Sequence, residues 1–138
     1  MALSEASIRR YSRQILLREV GGRGQERLLC AEVCVRGAGP ALAPVCLYLA
    51  GAGVGCLRLS ECGVVEASDV GAWVFRPGDV GRPRASVVAD AVGERHPDVR
   101  VLIDSAADGI DGDGIDVTGL SVGAALRQAV AWTVREIG

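Results

Sequence analysis

The sequence predicts an α/β fold in which helices flank a mostly parallel sheet. Short apolar runs typical of buried strands alternate along the chain with longer segments whose apolar residues recur at helical spacing. Strands that alternate with helices are usually joined by right-handed crossovers, which place neighbouring strands parallel. With 138 residues, the chain has room for a single domain.

The N-terminal residues are predicted to be helical. A first helix is expected from Ser4, a residue type that caps helix N-termini, to about Glu19. The glycine pair at 21–22 is expected to end it, and a short helix follows through Leu29. Residues 1–29 therefore form a predicted helical arm.

Strands and helices then alternate, with loops between them. We expect strands over 31–36, 56–60 and 99–103, and helices over 41–52, 84–95 and 122–135, the last capped by Ser121. Proline and glycine punctuate residues 61–83, and residues 104–119 are rich in aspartate and glycine, so both stretches are predicted loops. The predicted organisation is a sheet-forming half over 30–103, a loop over 104–119 and a closing helix within 120–138.

Composition excludes several classes of function. The chain is 49% hydrophobic and 23% charged, which is typical of a folded domain. A net charge of −2 argues against nucleic acid or an anionic membrane as the main partner. We find no N-terminal stretch that resembles a signal peptide and no apolar run of membrane-spanning length, so a cytoplasmic location is expected.

All 15 basic residues are arginines, because the sequence contains no lysine. Catalysis through a lysine Schiff base is therefore excluded. Arginine stays protonated and binds oxyanions through a planar fork of donors.

The five cysteines do not indicate a zinc site or a disulfide framework, since their number is odd and none forms a C-x-x-C pair. Cys34 and Cys46 lie in a predicted strand and helix, where cysteine usually acts as a small apolar side chain. Cys62 follows a strand end and is the thiol expected to be most exposed. The one histidine, His96, lies far along the chain, so no catalytic cysteine is predicted.

A glycine-containing loop follows the first predicted strand and precedes a helix. This is the context in which G-x-G-x-x-G binds the phosphates of a nucleotide, so the predicted fold is Rossmann-like. Gly37 and Gly39 match the first two glycines, but Leu42 occupies the third position. Pro40 also removes a backbone N–H that would otherwise be available to a phosphate.

Three further motifs carry a family resemblance. The runs are Arg-Tyr-Ser-Arg-Gln at 10–14, Gly-Gln-Glu at 24–26 and Tyr-Leu-Ala-Gly-Ala-Gly-Val-Gly at 48–55. In order and spacing over residues 10–103 they resemble the ThiF/MoeB/HesA family, which includes the ubiquitin-activating enzymes. The last predicted helix resembles the closing helix of that family. The segment between them is shorter than in the family, so the resemblance implies a truncated member.

Members of this family use Mg-ATP to adenylate the C-terminal carboxylate of a small protein or peptide. By this resemblance, Arg13 corresponds to an arginine that reaches across a dimer to the ATP phosphates, although a solvated helix-face charge is an equal alternative. Glu61 corresponds to the acidic residue that holds the ribose hydroxyls. Arg84 corresponds to the phosphate-binding lysine. Gly37, Gly39, Glu61, Arg84 and Arg13 are therefore the candidate nucleotide-binding residues.

Other functional parts of the family have no match here. Residues 69–73 replace the N-L-x-R-Q motif and lack its asparagine and arginine. No pair of aspartates matches the D-x-x-D-N strand, since Asp104 and Asp108 are one residue too far apart. The zinc-binding C-x-x-C pairs and the loop with the catalytic cysteine are also missing. The resemblance therefore implies a degenerate, catalytically silent member.

The aspartates of the 104–119 loop allow a second interpretation as a calcium site. Asp108, Asp111, Asp113 and Asp116 lie among glycines, but their spacing fails the pattern of an EF-hand loop. A solvated connector is the favoured interpretation, and a weak metal site is the alternative.

These inferences lead to one main hypothesis and two alternatives. The main hypothesis is a dimeric, non-enzymatic scaffold without a cofactor that binds a peptide or small protein, for example a precursor peptide in the maturation of a ribosomally made peptide. The first alternative is the non-catalytic subunit of a composite ATP- and Mg-dependent adenylyltransferase, a heterodimer with a complete homologue in which Arg13 acts in trans. The second is a lone nucleotide sensor that uses Glu61, Arg84 and the remaining glycines of the loop.

Overall fold

The computed structural model describes residues 3–60, 62–104 and 114–138 of the chain. The helices are α1 (Glu5–Arg10), α2 (Ser12–Ile15), α3 (Gly21–Cys30), α4 (Leu42–Ala52), α5 (Arg84–Arg95) and α6 (Val122–Ile137). The strands are β1 (Glu32–Arg36), β2 (Cys56–Ser60), β3 (Arg100–Ile103) and β4 (Gly114–Asp116). Two short 3₁₀ turns, over 67–69 and 77–79, lie in the connection between β2 and α5.

The strands form one parallel sheet in the order β3-β2-β1-β4. The predicted α/β, Rossmann-like class is therefore confirmed. In β1 and β2, Val33 lies beside Leu57 and Val35 beside Leu59, and on the other side of β1 Val35 lies beside Ile115 of β4. The chain leaves β1 towards β2 and later returns on the opposite side at β4, so the order reverses at β1.

The strand β4 corrects the prediction that residues 104–119 form a loop. Its three residues are too short to show a strand period, and Gly114 is an unfavourable strand residue. Pairing with β1 orders this segment, since Val117 N donates to Arg36 O at 2.9 Å at its end. The other residues of the predicted calcium-like stretch, 105–113, lie outside the described residues.

The core lies between the sheet and α4. Alternate residues of β1 and β2 have no exposed surface, and so do Leu42, Val45 and Leu49 of α4. Helix α4 packs against β1, α5 and α6, which explains why it is apolar around most of its circumference.

The N-terminal arm differs from the predicted single helix. Ser4 caps α1 as expected, since its hydroxyl accepts from Ser7 N at 3.1 Å. The helix then breaks at Tyr11, whose φ of −105° and ψ of 19° are not helical. The glycine pair at 21–22 begins α3 and does not end the preceding helix, with Gly21 at a φ of +62°.

The arm packs against the C-terminal end of α4 through three of the family-like motifs. Gln25 is fully buried, and its side-chain amide donates to Ala52 O at 3.2 Å. Gly53 ends α4 at a φ of +95°, and a Cβ there would collide with Gln25 Nε2 and lie 3.0 Å from Cε1 of Tyr11. The motifs at 10–14, 24–26 and 48–55 therefore meet at one contact that holds the arm on the fold.

We predict that Gly53→Ala destabilises the protein by about 2 kcal/mol or more, because it adds both left-handed strain and a clash with Gln25. Urea unfolding followed by circular dichroism measures the change. Gly93→Ala is the matched control: Gly93 is exposed within α5, and a Cβ there meets no atom within 4 Å. This control should raise stability by about 0.5–1 kcal/mol. Equal effects of the two substitutions would contradict the proposed contact.

Candidate functional site

The glycine loop lies at the carboxyl end of β1, where the strand order reverses. This position is the usual ligand-binding crevice of an open parallel sheet. Gly37 and Gly39 have φ values of +104° and +142°, which favour glycine. A Cβ on Gly37 would collide with the Thr118 hydroxyl and lie 3.0 Å from Oδ1 of Asp116. The loop is therefore closed on one side by the segment that follows β4.

The N-terminus of α4 lacks the features of a phosphate cradle beyond these two glycines. Ala41 and Leu42 are fully buried, so the position of the third glycine is used for core packing. No side chain caps α4 at Ala41, and Pro40 contributes no backbone donor. The structure thus places Gly37 and Gly39 between β1 and α4, as the sequence predicts. Because Pro40 has no N–H, this loop has one backbone donor fewer than a loop with another residue at that position.

Asp116 is a residue of this site that sequence reasoning placed in a connector. Its Oδ1 accepts from Thr118 N at 2.9 Å, and this hydrogen bond lowers the pKa of the Asp116 carboxyl. Asp116 and Gly119 have the spacing of the two acids in the family's D-x-x-D-N motif, with glycine in the second position. The run Asp-Val-Thr-Gly-Leu at 116–120 was the available signal, but it became readable only after β4 was placed beside β1.

Asp104, the other aspartate considered for the D-x-x-D-N motif, pairs with Arg58. It follows β3, and both of its carboxylate oxygens accept from Arg58, at 2.9 Å from Nε and 2.8 Å from Nη2. These hydrogen bonds lower the pKa of the Asp104 carboxyl. Asp104 therefore joins β3 to β2 and does not reach towards the glycine loop. Asp108 lies outside the described residues.

Arg84, the match to the family's phosphate-binding lysine, lies near the glycine loop but is buried. It is the first residue of α5 and only 7% exposed. Its Nη1 donates to Cys62 O at 3.0 Å. A Cβ on Gly63 would lie 2.9 Å from this nitrogen and 3.9 Å from Cβ of Ala38. The backbone at Gly63 thus lies between the guanidinium of Arg84 and the glycine loop.

Asp69 compensates the charge of Arg84. Its Oδ2 accepts from Arg84 Nε at 3.1 Å and from Nη2 at 2.9 Å, and also from Glu66 N at 2.8 Å. The Asp69 side chain is only 14% exposed, so this ion pair is largely removed from solvent. A buried arginine requires such a partner, and one that is already paired offers little net charge to a phosphate.

Arg13 lies at the opposite end of the fold from the glycine loop. It is exposed on α2 and lines a cavity of about 570 Å³ together with Arg10, Gly51 and His96. Gly51 belongs to the last turn of α4, whereas the glycine loop precedes its first turn. Eleven residues of α-helix separate the two ends by about 16 Å. Arg13 and Arg84 are therefore not brought together within one chain.

Glu61 and Cys62 are the remaining candidates from the sequence. Glu61, the predicted ribose-binding acid, lies outside the described residues. Cys62, predicted to be the most exposed thiol, is only 4% exposed, and its Sγ donates to Ser60 O at 3.3 Å. That prediction was wrong because the chain turns back over the core after β2. The exposed thiol is Cys30, at the end of α3.

Several groups around the glycine loop are altered or already paired in the described residues. Arg84 is paired with Asp69, the loop has Leu42 at the position of the third glycine and Pro40 without a backbone N–H, and the run at 116–120 has glycine at 119. In residues 3–60, 62–104 and 114–138, no group of three or more His, Cys, Asp or Glu side chains is placed to hold a metal ion. We therefore assign no reaction step to a nucleotide in this chain.

Within the described part of the chain, we find no helix with both the length and the apolar character needed to span a bilayer.

Two known adenylyltransferases are similar in sequence to this chain. The probable adenylyltransferase/sulfurtransferase MoeZ of Mycobacterium tuberculosis is 41% identical over 103 residues, which cover 74% of this chain and 26% of MoeZ. The sulfur carrier protein ThiS adenylyltransferase of Escherichia coli is 36% identical over 100 residues, covering 72% of this chain and 40% of that enzyme. This chain thus spans well under half the length of these relatives.

Two solved structures are similar in fold to this chain. PaaA superposes with a TM-score of 0.67 and 27% identity, over 99% of this chain and 44% of PaaA. Escherichia coli MccB, in a structure with MccA-N7isoAsn, superposes with a TM-score of 0.61 and 26% identity, over 75% of this chain and 31% of MccB. The sequence profile of the ThiF family matches residues 11–116, and the chain therefore belongs to the ThiF family.

Proposed function

We propose that this protein is a catalytically silent member of the ThiF family that binds a peptide or small protein as a dimeric scaffold. The observation that carries the proposal is the pair between Arg84 and Asp69. Arg84, at the start of α5 near the glycine loop, is buried, and it already has a carboxylate partner at 2.9 Å. A phosphate would have to displace Asp69 and leave that carboxylate without its partner.

The number of altered groups also supports silence. Adenylation develops negative charge on phosphate, and each donor aimed at such charge is often worth about 10²–10³ in rate. In this chain the glycine loop, the cation and the acidic motif after β4 are all altered together. Simultaneous changes of this kind in one site support a catalytically silent protein.

A polypeptide partner is supported by the relatives and by the sheet. One relative is named as the adenylyltransferase of a sulfur carrier protein, and one structural neighbour was solved with MccA-N7isoAsn. In this chain β3 pairs with β2 on one side, and no other strand of the described residues pairs with its second side. Leu102 and Ile103 of β3 are 37% and 52% exposed. Such an edge can pair with an extended peptide without any cofactor.

A dimer is supported by an apolar surface, which we call the arm–α6 surface: Leu16, Leu17, Tyr48, Val134 and Ile137. Leu16 and Leu17 are 85% and 53% exposed, and Val134 is 63% exposed. An apolar groove of about 430 Å³ runs between Leu17 and Val134. Exposed apolar surface of this extent on a folded domain is typical of an interface.

The first test is calorimetric titration of the purified protein with Mg-ATP and with AMP, with a complete family member as positive control. The wild type is expected to show no saturable binding at millimolar nucleotide. Asp69→Asn should show saturable binding of AMP at millimolar concentration, because it leaves the Arg84 charge without a counter-ion.

Asp79→Asn is the control for this titration. Asp79 also accepts from a backbone N–H, that of Arg76 at 2.9 Å, and pairs with an arginine, Arg82 at 2.9 Å, but this arginine is 44% exposed and stays solvated. It should bind no more nucleotide than the wild type. Micromolar binding by the wild type would show that the nucleotide site is intact and that the silent-scaffold proposal is wrong.

The second test measures oligomeric state by sedimentation equilibrium. The wild type is expected to be a dimer, and Leu17→Glu or Val134→Glu should shift it to monomer because each places a charge in the arm–α6 surface. Val80→Glu is the control, since Val80 is also exposed, at 49%, but lies on the loop before α5. A monomeric wild type, or equal effects of the three substitutions, would refute this interface.

The composite-enzyme function is a second candidate, supported by the position of Arg13. Arg13 is exposed, forms no ion pair among the described residues, and lies too far from its own glycine loop to serve it. This arrangement suits an arginine that acts on another subunit.

Under this second candidate, Arg13→Ala should abolish adenylation only in a mixture with a complete homologue. ATP–pyrophosphate exchange by the mixture gives the measurement. Arg18→Ala, another exposed arginine of the arm, should have no effect. A neutral result for Arg13→Ala would eliminate the composite-enzyme function.

A further inference from the structure

The cavity of about 570 Å³ that contains Arg13 lies between the N-terminal arm and the C-terminal ends of α4 and α5, and we call it the arm cavity. The two helix ends contribute Gly51 and His96, and a Cβ on Gly51 would lie 3.9 Å from Cε1 of His96. The arm contributes Arg9, Arg10, Tyr11, Ser12, Arg13 and Gln14. Among the described residues, the charged side chains that line the arm cavity are therefore three arginines, with no carboxylate.

The arm cavity stays positively charged when the nearby ion pairs are counted. Arg9 pairs with Glu5 at 2.7 Å, and Arg10 pairs with Asp98 at 3.3 Å. The side chains of the first pair are 80% and 82% exposed, so water weakens it. Arg13 is exposed and has no carboxylate partner among the described residues. Three arginines against two carboxylates leave one positive charge, which a single bound carboxylate would balance.

The two helix ends do not supply free acceptors that would remove this charge. Carbonyl groups at a helix C-terminus carry partial negative charge and by themselves favour a cation. In α4 the carbonyls of residues 49, 50 and 52 already accept hydrogen bonds. In α5 the carbonyl of Val92 accepts from His96 N at 2.7 Å. The guanidinium groups therefore decide which ligand charge the arm cavity favours.

The arm cavity lies at the amino end of β3, the strand whose second side is unpaired among the described residues. His96 precedes Arg100, the first residue of β3, by four positions, so their Cα atoms are at most about 14 Å apart. Arg100 N and Asp104 N donate to the carbonyls of residues 55 and 59, each at 2.9 Å. Because successive residues of a strand direct their main-chain groups to opposite sides, those of Val101 and Ile103 point to the free edge.

Pairing along this edge cannot continue past the amino end of β3. Pro97 has no N–H, and Val99 N already donates to His96 O at 3.0 Å. A peptide that runs antiparallel to β3 therefore loses its main-chain partner near His96. The end of the peptide that lies there is its C-terminal end.

We propose that the arm cavity binds the C-terminal carboxylate of a polypeptide whose last residues pair antiparallel with the free edge of β3. The main chain of the peptide bonds to Val101 and Ile103, and its terminal carboxylate lies between Arg10 and Arg13. The planar donors of arginine suit a carboxylate. Strand addition and capture of a chain terminus are both recurring modes of peptide recognition. The inference rests on the proposed binding of a polypeptide and assigns that polypeptide a direction and a terminus.

His96 reports on the arm cavity directly, because it is the one histidine of the chain. Burial, and then the charges of Arg10 and Arg95, hold the pKa of its imidazole below the usual value. The charged residues on the elements around it are Arg9, Arg10 and Arg13 of the arm, Glu94 and Arg95 of α5, and Asp98 before β3, while α4 has none. A carboxylate bound beside His96 favours the imidazolium and raises this pKa. Affinity should therefore increase as the pH falls through the pKa of His96, and His96→Gln should remove this dependence.

The experiment screens random eight-residue peptides against the full chain, with each peptide attached through its N-terminus so that its carboxylate is free. Every selected sequence is also made with a C-terminal amide. The acids are expected to bind about tenfold or more tightly than the amides, because the amide removes the charge-assisted hydrogen bonds. NMR should show a raised pKa of His96 in the complex, and hydrogen exchange should show protection of the Val101 and Ile103 amides.

Arg13→Gln should weaken the acid peptides by about tenfold or more and leave the amides unchanged. Because Arg13 is exposed and forms no ion pair among the described residues, this variant should unfold at the same urea concentration as the wild type. Arg18→Gln is the matched control, since Arg18 is an exposed arginine of the arm that does not line the cavity. It makes the same change in net charge and should leave affinity unchanged. Equal losses in the two variants would show attraction by net charge alone and would overturn the site.

The remaining outcomes distinguish this site from the proposed function. Peptides that bind equally as acid and amide, including those held through an internal Asp or Glu, would overturn the carboxylate site and leave polypeptide binding in place. Binding that requires the acid but does not protect Val101 and Ile103 would overturn the pairing with β3. A library without any binding peptide would overturn both proposals.

Discussion

The guanidinium of Arg84 is a buried cation at the start of α5, and the arrangement of the site depends on how its charge is balanced. Asp69 accepts two of its hydrogen bonds and the carbonyl of Cys62 accepts a third. These contacts join the connection after β2 to α5 beneath the glycine loop. An arginine used in this way stabilises a loop and, for the same reason, has little charge left for a ligand. This ion pair therefore joins the connection over residues 62–83 to α5 and leaves little charge at Arg84 for a nucleotide phosphate.

The family-like motifs present in this chain are mainly those whose residues pack within the fold. Tyr11, Gln25 and Gly53 come from three separate motifs, yet they pack together at the C-terminal end of α4. Tyr11 and Gln25 are buried, and a Cβ on Gly53 would collide with Gln25, so substitution at any of the three would disturb core contacts. The residues that differ lie at the carboxyl end of the sheet, where side chains serve ligands more than packing. The packing of the fold can therefore be kept while residues at the carboxyl end of the sheet differ from the family.

The same connection gives the molecule its most exposed aromatic side chain. Asp69 anchors the loop from below, and four residues later Trp73 points outward in a left-handed conformation. Asp69 thus takes part both in balancing the charge of Arg84 and in the hydrogen bonds of the loop that carries Trp73.

From the sequence alone, the class of the fold and the bounds of β2 and α5 could be determined, because apolar period and proline–glycine punctuation are local signals. The family was also readable, since its motifs are contiguous runs. The strand β4, the break at Tyr11 and the burial of Cys62 could not be read, because each depends on residues distant in the chain. Above all, the sequence shows an arginine at 84 and an aspartate at 69 without indicating that they touch. Only the tertiary structure decides that these two charges neutralise each other, because a Coulomb interaction depends on distance and burial and not on position along the chain.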